Sequence, residues 1–108
     1  PDGLILAAQA IGVDACVSGN ANIVPELIVA LLNAAKAGDL TQARLLQDRL
    51  DNVRRIVGDG ADLSMYQAIC ARRGVRIGDV RAPLVKVSAE RINTCWEQLN
   101  EVLALPVR

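Results

Sequence analysis

Val13-Asp14-Ala15-Cys16-Val17-Ser18-Gly19 is a short, nearly continuous apolar run closed by glycine, set between two segments of helical periodicity. Such a run predicts a strand buried on both faces. A buried parallel strand between helices is the unit of an α/β layer. One strand cannot pair its own backbone N–H and C=O groups, so it needs a neighbour on each edge. The remaining sequence offers no second strand of this kind. Val80 to Val87 is the other extended candidate, and Pro83 argues against a central position for it. The sequence therefore predicts one strand of a larger sheet, carried in a segment that is otherwise mostly α-helical.

Helical spacing accounts for the rest. Leu4, Ile5, Ala8 and Ile11 share a face, and Gly12 follows as a stop. Beyond the turn Gly19-Asn20-Ala21-Asn22, Pro25 suits the first turn of a helix running through Leu27, Ile28, Leu31, Leu32 and Ala35 to Gly38. Asp39 and Gln42 have capping-box spacing. They open a helix with the stripe Leu40, Ala43, Leu46, Leu50, Val53 and Val57. On its wet side, Arg44 with Asp48 and Asp51 with Arg55 are spaced for i,i+4 pairing. After Gly58-Asp59-Gly60, Asp62 caps a helix through Met65, Ile69 and Cys70 that stops at Gly74. Residues 75–87 read as an extended connection. Ser88 then caps a last helix carrying Ile92, Cys95, Trp96, Leu99 and Leu103, with Pro106 as its stop.

Composition narrows the function classes. Hydrophobic residues make up 52% of the 108 residues, yet there is no Phe, one Trp and one Tyr. A chain of this size buries only about 60–70% of its unfolded surface, so such an excess calls for a partner surface. No stretch approaches the roughly 18 apolar residues of a membrane span. Twelve basic residues balance twelve acidic ones, and aromatics that could stack on bases are nearly absent. Neither nucleic acid nor membrane is expected as a partner. The three cysteines, Cys16, Cys70 and Cys95, are odd in number and lack CxxC spacing, which fits reduced thiols in a cytoplasmic protein. With no histidine, most zinc sites and every His-dependent triad within this chain are excluded, and no metal site is expected.

The strongest site signal is the end of the strand. Ligands of open sheets and barrels bind beyond the carboxyl ends of strands. Val17, Ser18, Gly19, Asn20 and Asn22 lie at that end. The helix that follows would favour an anion such as a carboxylate. The competing reading is a plain turn with Asn22 as a helix N-cap. Lys36, in the last turn of a helix, and Lys86, between two valines, read as solvated surface charges. Asp48/Asp51 and Glu97/Glu101 read as solvated helix faces. Cys16, on the predicted strand, reads as a packed thiol.

The run from Gly12 to Leu27 resembles the last barrel strand and following helix of the dihydrodipicolinate synthase / N-acetylneuraminate lyase family. In that family a Gly-x-x-Gly/Ala-x-Ile/Val-Ser strand leads into an Ala-Asn turn. Ala35-Lys36-Ala37-Gly38-Asp39-Leu40-Thr41-Gln42-Ala43-Arg44 is similar to the family's Ala-x-x-Gly-Asp-x-x-x-Ala-Arg junction. Val80-Arg81-Ala82-Pro83-Leu84 resembles its Arg-x-Pro-Leu segment. The matches arrive in order and cover essentially the whole chain. One departure is Ala61-Asp62-Leu63-Ser64-Met65-Tyr66, where many members have Asn-Pro-x-Pro-Val-Lys. It points away from the lysine-biosynthesis synthase and leaves the sugar-acid aldolases and dehydratases.

The resemblance implies an α/β fold, the C-terminal portion of a (β/α)8 TIM barrel with a C-terminal helical extension. Residues 1–38 would be the last βα portion and 39–108 the extension. It implies a lyase: a lysine forms a Schiff base with pyruvate or another 2-keto acid, with no cofactor, and aldol addition, cleavage or dehydration follows. That lysine would lie on a sixth strand outside these residues, with Pro1 on the loop after the seventh, so the 108 residues alone would be inactive. Val17 matches the position whose backbone carbonyl faces the keto acid, and Ser18 the adjoining serine. Gly19 and Asn20 complete the expected substrate-binding set. The implied partners are the remainder of the same barrel, the 2-keto acid and further copies in a homo-oligomer, a tetramer or dimer. The alternative is a non-enzymatic helical interaction module that dimerises through its apolar excess.

Overall fold

The structure, a computed structural model, describes residues 1–104 and contains five α-helices. A 3-10 turn at Asp2–Leu4 leads into α1 (Ile5–Ala10), and a second at Asn20–Asn22 precedes α2 (Pro25–Lys36). Then follow α3 (Leu40–Val57), α4 (Leu63–Arg72) and α5 (Ala89–Ala104). The predicted stop at Pro106 lies outside the described residues.

The long helix α3 organises the molecule. Its stripe Ala43, Leu46, Leu50, Val53 and Val57 is buried at the expected three- and four-residue spacing. It packs against α2 and α5, while α1 lies against α2 and α3, and α4 against α5. One continuous core joins Leu27, Ile28 and Leu31 of α2, Met65 and Ile69 of α4, and Cys95 and Leu99 of α5. Leu40, expected in the α3 stripe, is instead more than half exposed.

The helix ends follow the local sequence closely. Pro25 occupies the first turn of α2, where its missing N–H leaves no bond unmade. At the other end Gly38, with φ +76°, reverses the chain. The Gly38 N–H donates to the Ala35 carbonyl and the Asp39 N–H to that of Ala34, the paired bonds of a Schellman turn. Asp39 then accepts from the Gln42 N–H at 3.1 Å and caps α3. The reciprocal half of the predicted capping box does not form, because the Asp39 N–H is already spent in the Schellman turn. The buried Oε1 of Gln42 is correspondingly without a partner. Asp62 caps α4 through the Met65 N–H, and Ser88 caps α5 through that of Arg91. The expected Asp51–Arg55 pair is replaced by other partners: Asp51 pairs with Arg54 at 2.7 Å, and Arg55 donates to Asn52.

The predicted strand does not form: among the described residues there is no β-strand. Val13 to Val17 runs as irregular backbone, with Val13 44% and Val17 fully exposed. The residue types suit a buried strand, but the ladder needs partners that this chain does not supply. Cys16, read as a packed thiol, is exposed for the same reason. The segment 75–87 is non-helical as expected, with a turn at Arg81–Leu84 that holds a cis Ala82–Pro83 bond. The N–H of Val87 donates to the buried Ser64 hydroxyl at 2.8 Å, tying the connection to α4. The Cα radius of gyration is 14.5 Å, above the roughly 13 Å of a compact domain of this length. The molecule is a slab with one apolar face open.

Candidate functional site

Ser18 reverses the chain at the end of the apolar run. Its Oγ accepts from the Ala21 N–H at 3.1 Å, opening the second 3-10 turn, and its hydroxyl donates to the Asp2 carboxylate. The Asn22 side-chain amide donates to the Gly19 carbonyl at 3.1 Å. Asn22 thus closes this turn and does not cap α2, which has no side-chain cap.

Asn20 is buried, with 4% exposure, and both ends of its amide are engaged. Nδ2 donates to Asp2 Oδ2 at 2.6 Å. Oδ1 accepts from the Tyr66 hydroxyl at 2.7 Å. The orientation is dictated by chemistry, since an ionised carboxylate can only accept. Burial, reinforced by the charges of Asp59 and Asp2, raises the Tyr66 pKa above its ordinary value. The phenol therefore stays protonated and remains the donor.

Behind Asn20 the cluster extends to α3. The Arg54 guanidinium grips Asp59 with Nε and Nη2, at 2.9 and 2.7 Å, and Asp51 with Nη1 at 2.7 Å. Gln47 donates to the Asp2 carbonyl at 3.0 Å and accepts from the Leu6 N–H at 3.1 Å. Gly3 makes room for this arrangement, since a Cβ there would lie 2.1 Å from Arg54 Nη1. Hydrogen bonds from Arg54 hold the Asp59 carboxyl below its ordinary 3.8. The stability this pair contributes is complete above that value and is lost as pH falls through the depressed one. Arg54→Met is therefore expected to lower the melting temperature at pH 7 and to narrow its gap to the parent near pH 3. Equal gaps at both pH values in thermal melts would contradict the pairing.

The other expected site residues face solvent. Val17 and Gly19 are exposed, and Val17 lines an open apolar groove of about 440 Å³ with Ile5, Ala8, Ile11, Val13 and Cys16. Of the predicted set, the structure gathers Ser18 and Asn20 into the polar cluster and leaves Val17 and Gly19 on the open side. Lys36 and Lys86 are exposed as expected, Lys86 paired with Asp79 at 2.6 Å. Neither lines the groove. Cys70 and Cys95 are buried, and burial pushes both thiols up, so they are poor nucleophiles. Asp2, Tyr66, Arg54 and Asp59 escaped the reading of the sequence. The one available signal was Tyr66 itself, a lone phenol within an apolar helix.

Comparison with known proteins places this arrangement. The sequence model of the dihydrodipicolinate synthetase family matches residues 1–102. The 2-dehydro-3-deoxy-D-gluconate/2-dehydro-3-deoxy-phosphogluconate aldolase of Thermoproteus tenax is 33% identical over 92 residues, 82% of this chain and 29% of that protein. The 4-hydroxy-tetrahydrodipicolinate synthase of Natronomonas pharaonis is 36% identical over 103 residues, 95% of this chain and 34% of that protein. The crystal structure of KD(P)GA from T. tenax superposes with a TM-score of 0.84 at 25% identity, over 95% of this chain and 37% of that one. Proteus mirabilis N-acetylneuraminate lyase superposes with a TM-score of 0.85 at 20% identity, over 97% of this chain and 36% of that one. The chain thus spans about a third of the length of the relatives it matches. Its helices are those of the C-terminal portion of a TIM barrel and the helices appended to it. The chain belongs to the dihydrodipicolinate synthetase family.

Proposed function

We propose that these residues are the C-terminal part of a Schiff-base aldolase or lyase that acts on pyruvate or another 2-keto acid. The observation that carries the reading is the family match over residues 1–102, joined to an apolar face that is open where a barrel would close. Val17, fully exposed at the end of that face, supports a role for its backbone carbonyl beside the keto acid. Ser18 and Gly19 shape the same rim, and Asn20 contributes through its placement, its side chain being spent internally. Residues 1–38 would belong to the barrel and 39–108 to the extension.

The chemistry follows from a lysine supplied by the rest of the barrel. Its amine adds to the ketone carbon and water leaves. The resulting iminium accepts the electron pair released at the neighbouring carbon, so no cofactor is needed. Proton loss there gives an enamine that attacks an aldehyde, and the reverse sequence cleaves the bond. Hydrolysis of the iminium returns the lysine. Lys36 and Lys86, both exposed and outside the groove, are unsuited to this role, so the 108 residues alone are expected to be inactive. Three free thiols favour a cytoplasmic setting. Among the described residues no helix is long and apolar enough to cross a membrane. A homo-oligomer, tetramer or dimer, completes the proposal.

Borohydride reduction in the presence of pyruvate is expected to add one reduced adduct to the full-length protein, detectable by intact mass. No mass gain would sink the Schiff-base reading. A self-contained dimerisation module is disfavoured by residues 13–17, an exposed apolar run of irregular backbone that a dimer of helices would not pair.

A further inference from the structure

Asn20 is the point at which the appended helices reach the expected substrate rim. We propose that Asn20, clamped between Tyr66 of α4 and Asp2 of the N-terminal turn, is a positioning residue that fixes the Val17–Ser18 peptide for keto-acid binding. The inference rests on the proposed function and adds to it a control exerted from outside the barrel strand.

The geometry supports the assignment in three ways. First, Ser18 and Asn20 both donate to Oδ2 of the same carboxylate, Asp2. The two residues flanking Gly19 are thereby held at one point. Gly19 itself has no side chain, and nothing lies within 4 Å of where its Cβ would be. Its neighbours therefore supply the restraint. Second, Asp2 is held by its own carbonyl, which accepts from Gln47 of α3, so the anchor does not drift. Third, the Tyr66 hydroxyl closes the cluster from α4, 46 residues away in sequence, in a buried bond. The cluster is part-buried around Asp2 and buried at Tyr66, and a polar network whose groups are engaged in this way rigidifies what it holds. A carbonyl held in place before the ligand arrives loses less freedom on binding.

Tyr66→Phe removes the hydroxyl and keeps the ring, so packing on α4 is retained. The test is the pyruvate concentration that gives half-maximal borohydride trapping on the full-length protein. A stability-matched control is Asp39→Ala, which weakens the α3 cap on a solvent-exposed corner. Tyr66→Phe is expected to raise the half-saturating concentration about three- to ten-fold, the scale of one lost hydrogen bond, with the trapping plateau unchanged. Asp39→Ala should leave both values unaltered. A shift below two-fold for Tyr66→Phe, or an equal shift for Asp39→Ala, overturns the positioning role while the aldolase reading stands. Absence of trapping in the unsubstituted protein removes the aldolase reading and this inference with it. If Tyr66→Phe does not yield folded protein, Asp2→Asn weakens the same clamp from its other side and must give the same shift.

Discussion

Leu50→Ala is expected to lower the unfolding free energy by about 2–5 kcal/mol, the range for truncating a fully buried leucine. Leu50 has no exposed surface and sits in the middle of α3, the helix that packs against both α2 and α5. Its side chain has no route to solvent, so removing it leaves a cavity in addition to the lost transfer energy. The neighbours Leu46 and Val53 lie on the same stripe and are themselves buried, which limits how far the core can collapse into the gap. Asp48→Ala, two residues earlier on the exposed face of the same helix, is expected to change stability by no more than about 0.5 kcal/mol. Urea unfolding of the two variants beside the parent measures both. A loss below about 1 kcal/mol for Leu50→Ala, inconsistent with a filled core, would mean that α3 does not occupy the centre of the slab.

That contrast between two positions of one helix also shows what the sequence makes legible. Leu50, Val53 and Val57 could be assigned to the core because the helical period is short and local. The caps Asp39, Asp62 and Ser88 were legible for the same reason, each bonding an N–H three residues on. Gln42 does not complete the capping box because the donor it would accept from belongs to a turn that starts in the preceding helix. Val13 to Val17 was legible as buried-strand sequence, yet a strand is a property of a ladder, and no partner is present to complete it. The order of motifs along the chain identified the family, since it requires no contacts at all.

The polar cluster was the least legible part. Tyr66 and Asn20 are 46 residues apart, Gln47 and Asp2 are 45 apart, and Asn20 and Asp2 are 18 apart. Each of these residues is individually ordinary: an asparagine in a turn, an aspartate near an end, a tyrosine among apolar residues. Their meeting depends on the packing of α3 against the N-terminal turn and on the reach of Tyr66 from α4 to Asn20. The hydrophobic stripes determine that packing, but they carry no mark of which polar residues it will bring together.

The cluster's dependence on correct donor and acceptor placement gives the second large effect. Asn20→Asp is nearly isosteric, yet it replaces the amide donor by an acceptor 2.6 Å from Asp2 Oδ2. Two ionised carboxylates at that separation cannot both persist, so the new carboxyl and Asp2 must share a proton or the turn must open. The expected loss of stability at pH 8 is about 2–4 kcal/mol, the cost of an unsatisfied buried group with a like charge added. The pH dependence has a definite sign. A shared proton raises the folded-state pKa of the pair above the unfolded value of about 3.9. The penalty is therefore absent below that value, grows as pH rises, and is complete above the raised one. Below the window the protonated carboxyl can still donate to Asp2, so the bond is conserved. Thermal melts at pH 4 and pH 8 should show a small deficit at the first and a large one at the second. A deficit that is equal at both would assign the loss to shape alone and would place Asp2 away from Asn20. The Arg54–Asp59 pair, which loses stability on acidification, varies in the opposite direction, so the two contributions separate in a single pH series.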